Sequence, residues 1–172
     1  MVRRCVLFVV VALVLGSGVG LAQGNNCTIV GTWMHSGGPA DMYTWTLVVT
    51  PGANATVGQL DYEWVLVNPT LPNPRFPLGM FPNAVRTTNP NGVWDKAKQG
   101  EYNFTWVAYG LDKDGKVVYV LRPHGVAMMT TCDAFNFVGT YDVFLPTQDI
   151  WNDEPLGSVP VNETHWRMPV VK

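Results

Sequence analysis

The stretch Glu101-Tyr102-Asn103-Phe104-Thr105-Trp106-Val107-Ala108-Tyr109-Gly110-Leu111, followed by Asp112-Lys113-Asp114-Gly115 and then Lys116-Val117-Val118-Tyr119-Val120-Leu121, decides the fold class. Tyr102, Phe104, Trp106 and Ala108 alternate with Asn103 and Thr105, the two-residue period of a half-buried strand. Asp112 to Gly115 is turn chemistry, and Val117, Tyr119 and Leu121 take up the alternation again. Two alternating runs joined by so short a polar turn form a β-hairpin.

The same period recurs along the chain. Tyr43, Trp45, Leu47 and Val49 oppose Thr44, Thr46 and Thr50, while Leu60, Tyr62, Trp64 and Leu66 oppose Asp61 and Glu63. Further strands are expected over 137–145 and at the end, where Trp166, Met168 and Val170 stand against His165 and Arg167. β-Branched and aromatic residues dominate these runs, as pleated surfaces favour. No stretch carries a helical apolar stripe. Short strands with tight turns predict an all-β, single antiparallel up-and-down barrel of about eight strands, with a β-sandwich as the alternative.

The chain has 172 residues and a mass of 19.0 kDa, the size of one domain. Only 14% of its residues are charged, which excludes a long solvated helix, a coiled coil and charge-driven disorder. With a formal net charge of -2 there is no basic surface for nucleic acid.

Residues 1–22 read as a secretory signal: Arg3 and Arg4, an apolar run from Cys5 to Leu15, and Gly20-Leu21-Ala22 as a small-x-small cleavage site. The apolar run is too short to span a bilayer, so no membrane span is expected after cleavage. The mature domain would be 23–172, a secreted protein, extracellular or periplasmic. It keeps two cysteines, Cys27 and Cys132, which in an exported chain most simply form one disulfide. Asn26, Asn54, Asn103 and Asn162 lie in N-x-[ST] sequons.

The segment 68–91 departs from the strand pattern. It carries Pro69, Pro72, Pro74, Pro77, Pro82 and Pro90, which remove backbone donors and block both ladder and helix. Leu71, Phe76, Leu78, Met80 and Phe81 give it apolar anchors. A long ordered loop is expected here, either a packed flap or a lid and docking point for a protein partner.

Gly31-Thr32-Trp33, Gly92-Val93-Trp94 and Gly139-Thr140-Tyr141 each set a glycine two residues before a large ring, on one strand face. A glycine admits close approach and the ring fills the space inside, as barrel ends require. Gly-x-Trp in the first strand resembles the lipocalins and the wider calycin superfamily. The second half, with Gly92-Val93-Trp94, Gly100-Glu101-Tyr102, Val107-Ala108-Tyr109, Leu111-Asp112 and Asp114-Gly115, is similar to small secreted bacterial calycin-like proteins. The resemblance implies that Trp33 closes the barrel bottom under an arginine from a late strand, Arg167 or Arg122. It also implies an interior cup for a small hydrophobic or aromatic ligand, lined by Tyr43, Trp45, Tyr62, Trp64, Tyr102, Phe104 and Trp106. From the aromatic count alone, these rings read as a packed core.

Enzyme motifs are missing: there is no nucleophile elbow, P-loop, dinucleotide fingerprint or zinc spacing. Asp61 and Glu63 share the face opposite the aromatics and are expected in solvent. His35, His124 and His165 are widely spaced; His35, His124 and Asp41 offer a metal set, but neither a metal site nor a cofactor is expected. His165, alternating with Trp166, is expected outside, and His35, two residues from Trp33, inside. The reading is a barrel that holds a small apolar molecule. Its alternatives are a barrel isomerase or cyclase, with His35, Tyr43, Glu63 and Arg122 as residues to test, and a secreted interaction or structural module.

Overall fold

A computed structural model describes residues 27–36, 43–66 and 81–169. The signal-like segment 1–22 and residues 67–80 of the proline-rich segment lie outside them. Nine strands run in chain order: β1 (Gly31–Ser36), β2 (Tyr43–Pro51), β3 (Val57–Leu66), β4 (Arg86–Thr87), β5 (Asn91–Lys98), β6 (Glu101–Leu111), β7 (Val117–Thr131), β8 (Ala134–Phe144) and β9 (Gly157–Arg167). No helix occurs among the described residues, so none is long and apolar enough to cross a membrane.

Apart from β4, each strand pairs antiparallel with the next, β3 passing directly to β5, and β9 returns to β1. The result is a closed eight-stranded up-and-down barrel, with β4 added outside the circuit on β6 through Arg86↔Leu111 and Thr87↔Gly110. Closure removes the exposed sheet edges that alternating, aromatic-rich strands would otherwise present.

The inward faces of β2, β3 and β6 follow the alternation: Leu47, Val49, Leu60, Tyr62, Tyr102, Phe104, Trp106 and Ala108 are buried. Asp61 and Glu63 face solvent. The 112–115 turn joins β6 to β7, where Asp112 Oδ1 accepts from the backbone N–H of Asp114 and Lys116.

Three expectations are corrected. The first concerns the proline-rich segment, which is not ladder-free throughout. Its end is pinned to the barrel by β4, by Val85 N–H donating to Leu111 O, and by Tyr62 N–H donating to Pro90 O at 3.1 Å. A proline blocks only its own N–H, and Pro90 serves the ladder as an acceptor. Second, the strand expected over 116–122 continues to Thr131, through Pro123 and Gly125. The β6–β7 ladder is interrupted between Thr105↔His124 and Ala108↔Leu121, where Pro123 has no N–H to give.

The third correction fixes the last strand. β9 spans Gly157–Arg167, and its inward face carries Val161, Glu163, His165 and Arg167. His165 is 0% exposed and Trp166 46%, the reverse of the sequence expectation. The register Trp33↔Arg167, Met34↔Trp166 and Phe135↔His165 turns the polar set inward. A one-residue shift of that kind exchanges every side chain between faces.

One barrel end is a closed floor. Cys27 and Cys132 form a disulfide with Cα atoms 4.9 Å apart, fastening the segment before β1 to the β7–β8 turn. Ile29 is fully buried beneath Trp33, whose Nε1–H donates to Ile29 O at 2.8 Å. The Arg167 guanidinium lies over the Trp33 ring, 4.2 Å from its centroid. Gly31, at φ +149°, leaves room for that guanidinium where a Cβ would collide with it.

Candidate functional site

The barrel interior has two chemically distinct layers. Next to the floor the filling is aromatic and dense. Trp33 meets Phe135 edge-on at 4.9 Å, Phe104 packs at 5.9 Å from Phe135 and 6.2 Å from Phe137, and Trp94 meets Tyr102 at 5.7 Å. Tyr102 and Phe104, expected to touch a ligand, belong to this packed layer. The Tyr102 hydroxyl is raised above its ordinary pKa by burial, partly offset by a hydrogen bond with the Ile29 backbone, which places it at the floor.

Above that layer the lining becomes polar, although the surrounding wall stays apolar. His35 on β1, Tyr62 on β3, Tyr141 on β8, and Glu163 and His165 on β9 are all buried. Trp106 contributes the wall between the layers, with ring centroids 4.9 Å from Tyr62, 4.9 Å from Phe137 and 6.5 Å from Tyr141. Tyr43, Trp45 and Trp64 lie on β2 and β3, where Trp45 pairs with Trp64, but their side chains fall outside the described residues.

The β1–β9 junction assembles the polar group. Its backbone register consists of Trp33↔Arg167 and Met34↔Trp166. At the next position along β1 the His35 side chain takes over, with Nδ1–H donating to Thr164 O at 2.8 Å. A carbonyl only accepts, so this bond places the proton on Nδ1 and leaves the Nε2 lone pair as the acceptor. The His165 ring lies 5.3 Å from that of His35 and stacks on Phe135 at 4.5 Å with an interplanar angle of 7°. Tyr141 O–H donates to Glu163 Oε1 at 3.2 Å, while Glu163 Oε2 stands 3.6 Å from His165 Nε2, beyond hydrogen-bond distance.

Burial sets the ionisation. It lowers the His165 pKa, against the opposing pull of Glu163, so the imidazole is neutral at pH 7. Burial, and then the charge of Glu163, raise the Tyr62 pKa well above its ordinary value and keep the phenol protonated. Among the described residues no hydrogen-bond partner reaches Tyr62 Oη or either ring nitrogen of His165. Buried polar atoms are normally satisfied, because an unmade bond there costs about 1–3 kcal/mol.

A second polar group sits outside the barrel wall. Asp142 accepts from Ser158 Oγ at 2.6 Å, Arg122 Nη2 at 2.7 Å and His124 Nε2 at 2.9 Å. Arg122 also donates to Ile150 O and lies between the rings of Phe144 and Trp151, at 4.9 and 5.8 Å, holding the 145–156 connection on the surface. Arg122 is therefore remote from Trp33, and the contact over that ring is made by Arg167.

The metal set weighed from sequence is not assembled. His124 is outside with Asp142, and Asp41 lies outside the described residues. His35, Glu163 and His165 come together instead, with one potential ligand atom from each lying within 4.8 Å of the others. Sequence reasoning missed this group because Glu163 and His165 interrupt the apolar alternation. The available signal was Arg167: if it covers Trp33 from inside, strand parity carries His165 and Glu163 inward with it. Comparison with known proteins gives no significant match to a family model, a curated protein or a solved structure.

Proposed function

We propose that the protein is an exported barrel that binds a small, largely apolar molecule inside, above the aromatic floor. The observation that carries this reading is the unused hydrogen-bonding capacity of Tyr62 Oη and His165, buried beside the apolar rings of Trp106 and Phe135. Apolar walls with a few convergent polar groups are the usual make-up of a small-molecule site. Trp106 supplies a flat apolar wall, and Tyr62 supplies a donor that fixes orientation. The resemblance to calycin barrels supports the same reading. The signal-like 1–22 segment and the Cys27–Cys132 bridge support an extracellular or periplasmic location. The 68–91 segment remains the proposed site for any protein partner.

A second reading, a barrel isomerase or cyclase, is favoured by one observation: a carboxylate and a neutral imidazole stand side by side in the buried interior at Glu163 and His165. Of the four residues to test, His35 lies beside them, Glu63 faces solvent, Arg122 sits on the outer wall, and the Tyr43 side chain falls outside the described residues.

Native mass spectrometry of the oxidised protein, before and after organic extraction, tests the binding reading. The expected result is an added mass that extraction removes and that Tyr62→Phe retains less well. A protein that stays free of added mass after exposure to lipid and aromatic libraries overturns it. Chemical conversion of a bound compound, lost in Glu163→Gln, selects the enzyme reading.

A further inference from the structure

His35, Glu163 and His165 each bring one potential metal-ligand atom to within 4.8 Å of the others. The Thr164 carbonyl fixes the His35 tautomer so that Nε2 carries a lone pair, and Tyr141 holds one oxygen of Glu163 while the other faces His165. Bonds of this kind, from a ring N–H to a carbonyl and from a hydroxyl to a carboxylate, orient metal ligands. His165 is fully buried and neither of its ring nitrogens has a hydrogen-bond partner among the described residues.

Glu163 Oε2 and His165 Nε2 stand 3.6 Å apart. Two donors bound to one tetrahedral Zn²⁺ at about 2.1 Å stand about 3.4 Å apart. The three donor atoms lie within 4.8 Å of one another, the scale of a mononuclear site.

We infer that His35, Glu163 and His165 form a buried binding site for a divalent transition metal of the zinc type. Two imidazoles and one carboxylate suit such an ion better than Ca²⁺ or Mg²⁺, which prefer all-oxygen sites. Three protein ligands leave a coordination position for water or for a donor atom of the molecule held in the barrel. The inference rests on the reading of the interior as a ligand site and gives that site its chemistry.

The test uses the full chain, produced under oxidising conditions, stripped with chelator, then titrated with Zn²⁺ and with Co²⁺. One Zn²⁺ per chain, retained through gel filtration, is expected. Glu163→Gln should weaken binding by at least about 100-fold, and His124→Ala, on the outer wall, should leave it unchanged. The wild-type Co²⁺ complex should show the strong visible absorption of a low-coordinate site, a readout independent of whether Glu163→Gln folds. Failure to retain metal, equal retention by Glu163→Gln, or loss in His124→Ala overturns the inference. Chelator-stripped protein that takes up an apolar molecule but no metal overturns this inference alone. Protein that takes up neither overturns the binding reading as well.

Discussion

Arg167 shows how much one side chain can hold. Its Nε donates to Cys132 O at 3.1 Å, Nη1 to Val30 O at 3.1 Å and Nη2 to Thr28 O at 2.7 Å, while the guanidinium covers Trp33. Those carbonyls belong to segments far apart in sequence, so the residue ties the last strand to the chain before β1 and to the β7–β8 turn. The ion pair with Asp133, at 3.5 Å and with Asp133 largely in solvent, adds little. Arg167→Met keeps the stem and removes the charge and every donor. We expect it to cost about 2–4 kcal/mol of unfolding free energy in urea titrations. Arg167→Lys should recover less than half of that, because one ammonium cannot serve three carbonyls in a planar fork. A lysine variant as stable as wild type would show that the charge over Trp33, and not the fork, does the holding.

β7, β8 and β9 meet the surface connection 145–156 at Asp142, which makes the pH dependence a property of these elements together. Burial acts to raise the Asp142 pKa, but hydrogen bonds from Ser158, Arg122 and His124 outweigh it and hold the carboxyl below its ordinary value of 3.8. A carboxylate with a lowered folded pKa contributes stability that is present above its unfolded value and is lost as pH falls through the folded one. The urea midpoint should therefore lose the Asp142 contribution only below about pH 4. Asp142→Asn should flatten that part of the profile and cost about 2–3 kcal/mol at pH 7, with Arg122 left beside a neutral amide. An Asn variant with an unchanged acid slope would assign the slope to other carboxylates. The strands themselves differ in how far the sequence discloses them. β2, β3 and β6 are legible because each has one apolar and one wet face, so alternation and burial coincide. β9 is not, because its inward face holds Glu163, His165 and Arg167, which read as the wet face until their partners on β1 are known. The His35–Glu163–His165 group depends on a barrel closure that joins the first strand to the last, a contact with no local signature.

For the whole molecule, closure is the weak step and the Cys27–Cys132 bridge acts on it. Each strand of the circuit except β1 and β9 is joined to both neighbours by a long ladder, whereas the β1–β9 register consists of two residue pairs. The bridge fastens the segment that leads into this seam, at Cys27, to the β7–β8 turn across a sequence separation of 105. Cross-linking a loop of that length removes denatured-state entropy worth about 4–5 kcal/mol in the chain-entropy model. The disulfide, Ile29, Trp33 and Arg167 act on one floor, so their contributions are coupled and not additive. Reduction, or the double variant Cys27→Ala/Cys132→Ala, should lower Tm by roughly 10–20 °C for a domain of this size. Arg167→Met should then cost less in the bridge-free protein than in the oxidised one, because the 27–30 segment is already loosened and its carbonyls are already hydrated. Calorimetry on the four-member cycle checks both statements. Equal costs of Arg167→Met with and without the bridge would mean that the segment keeps its place unaided, and that the ladders around the barrel hold the seam.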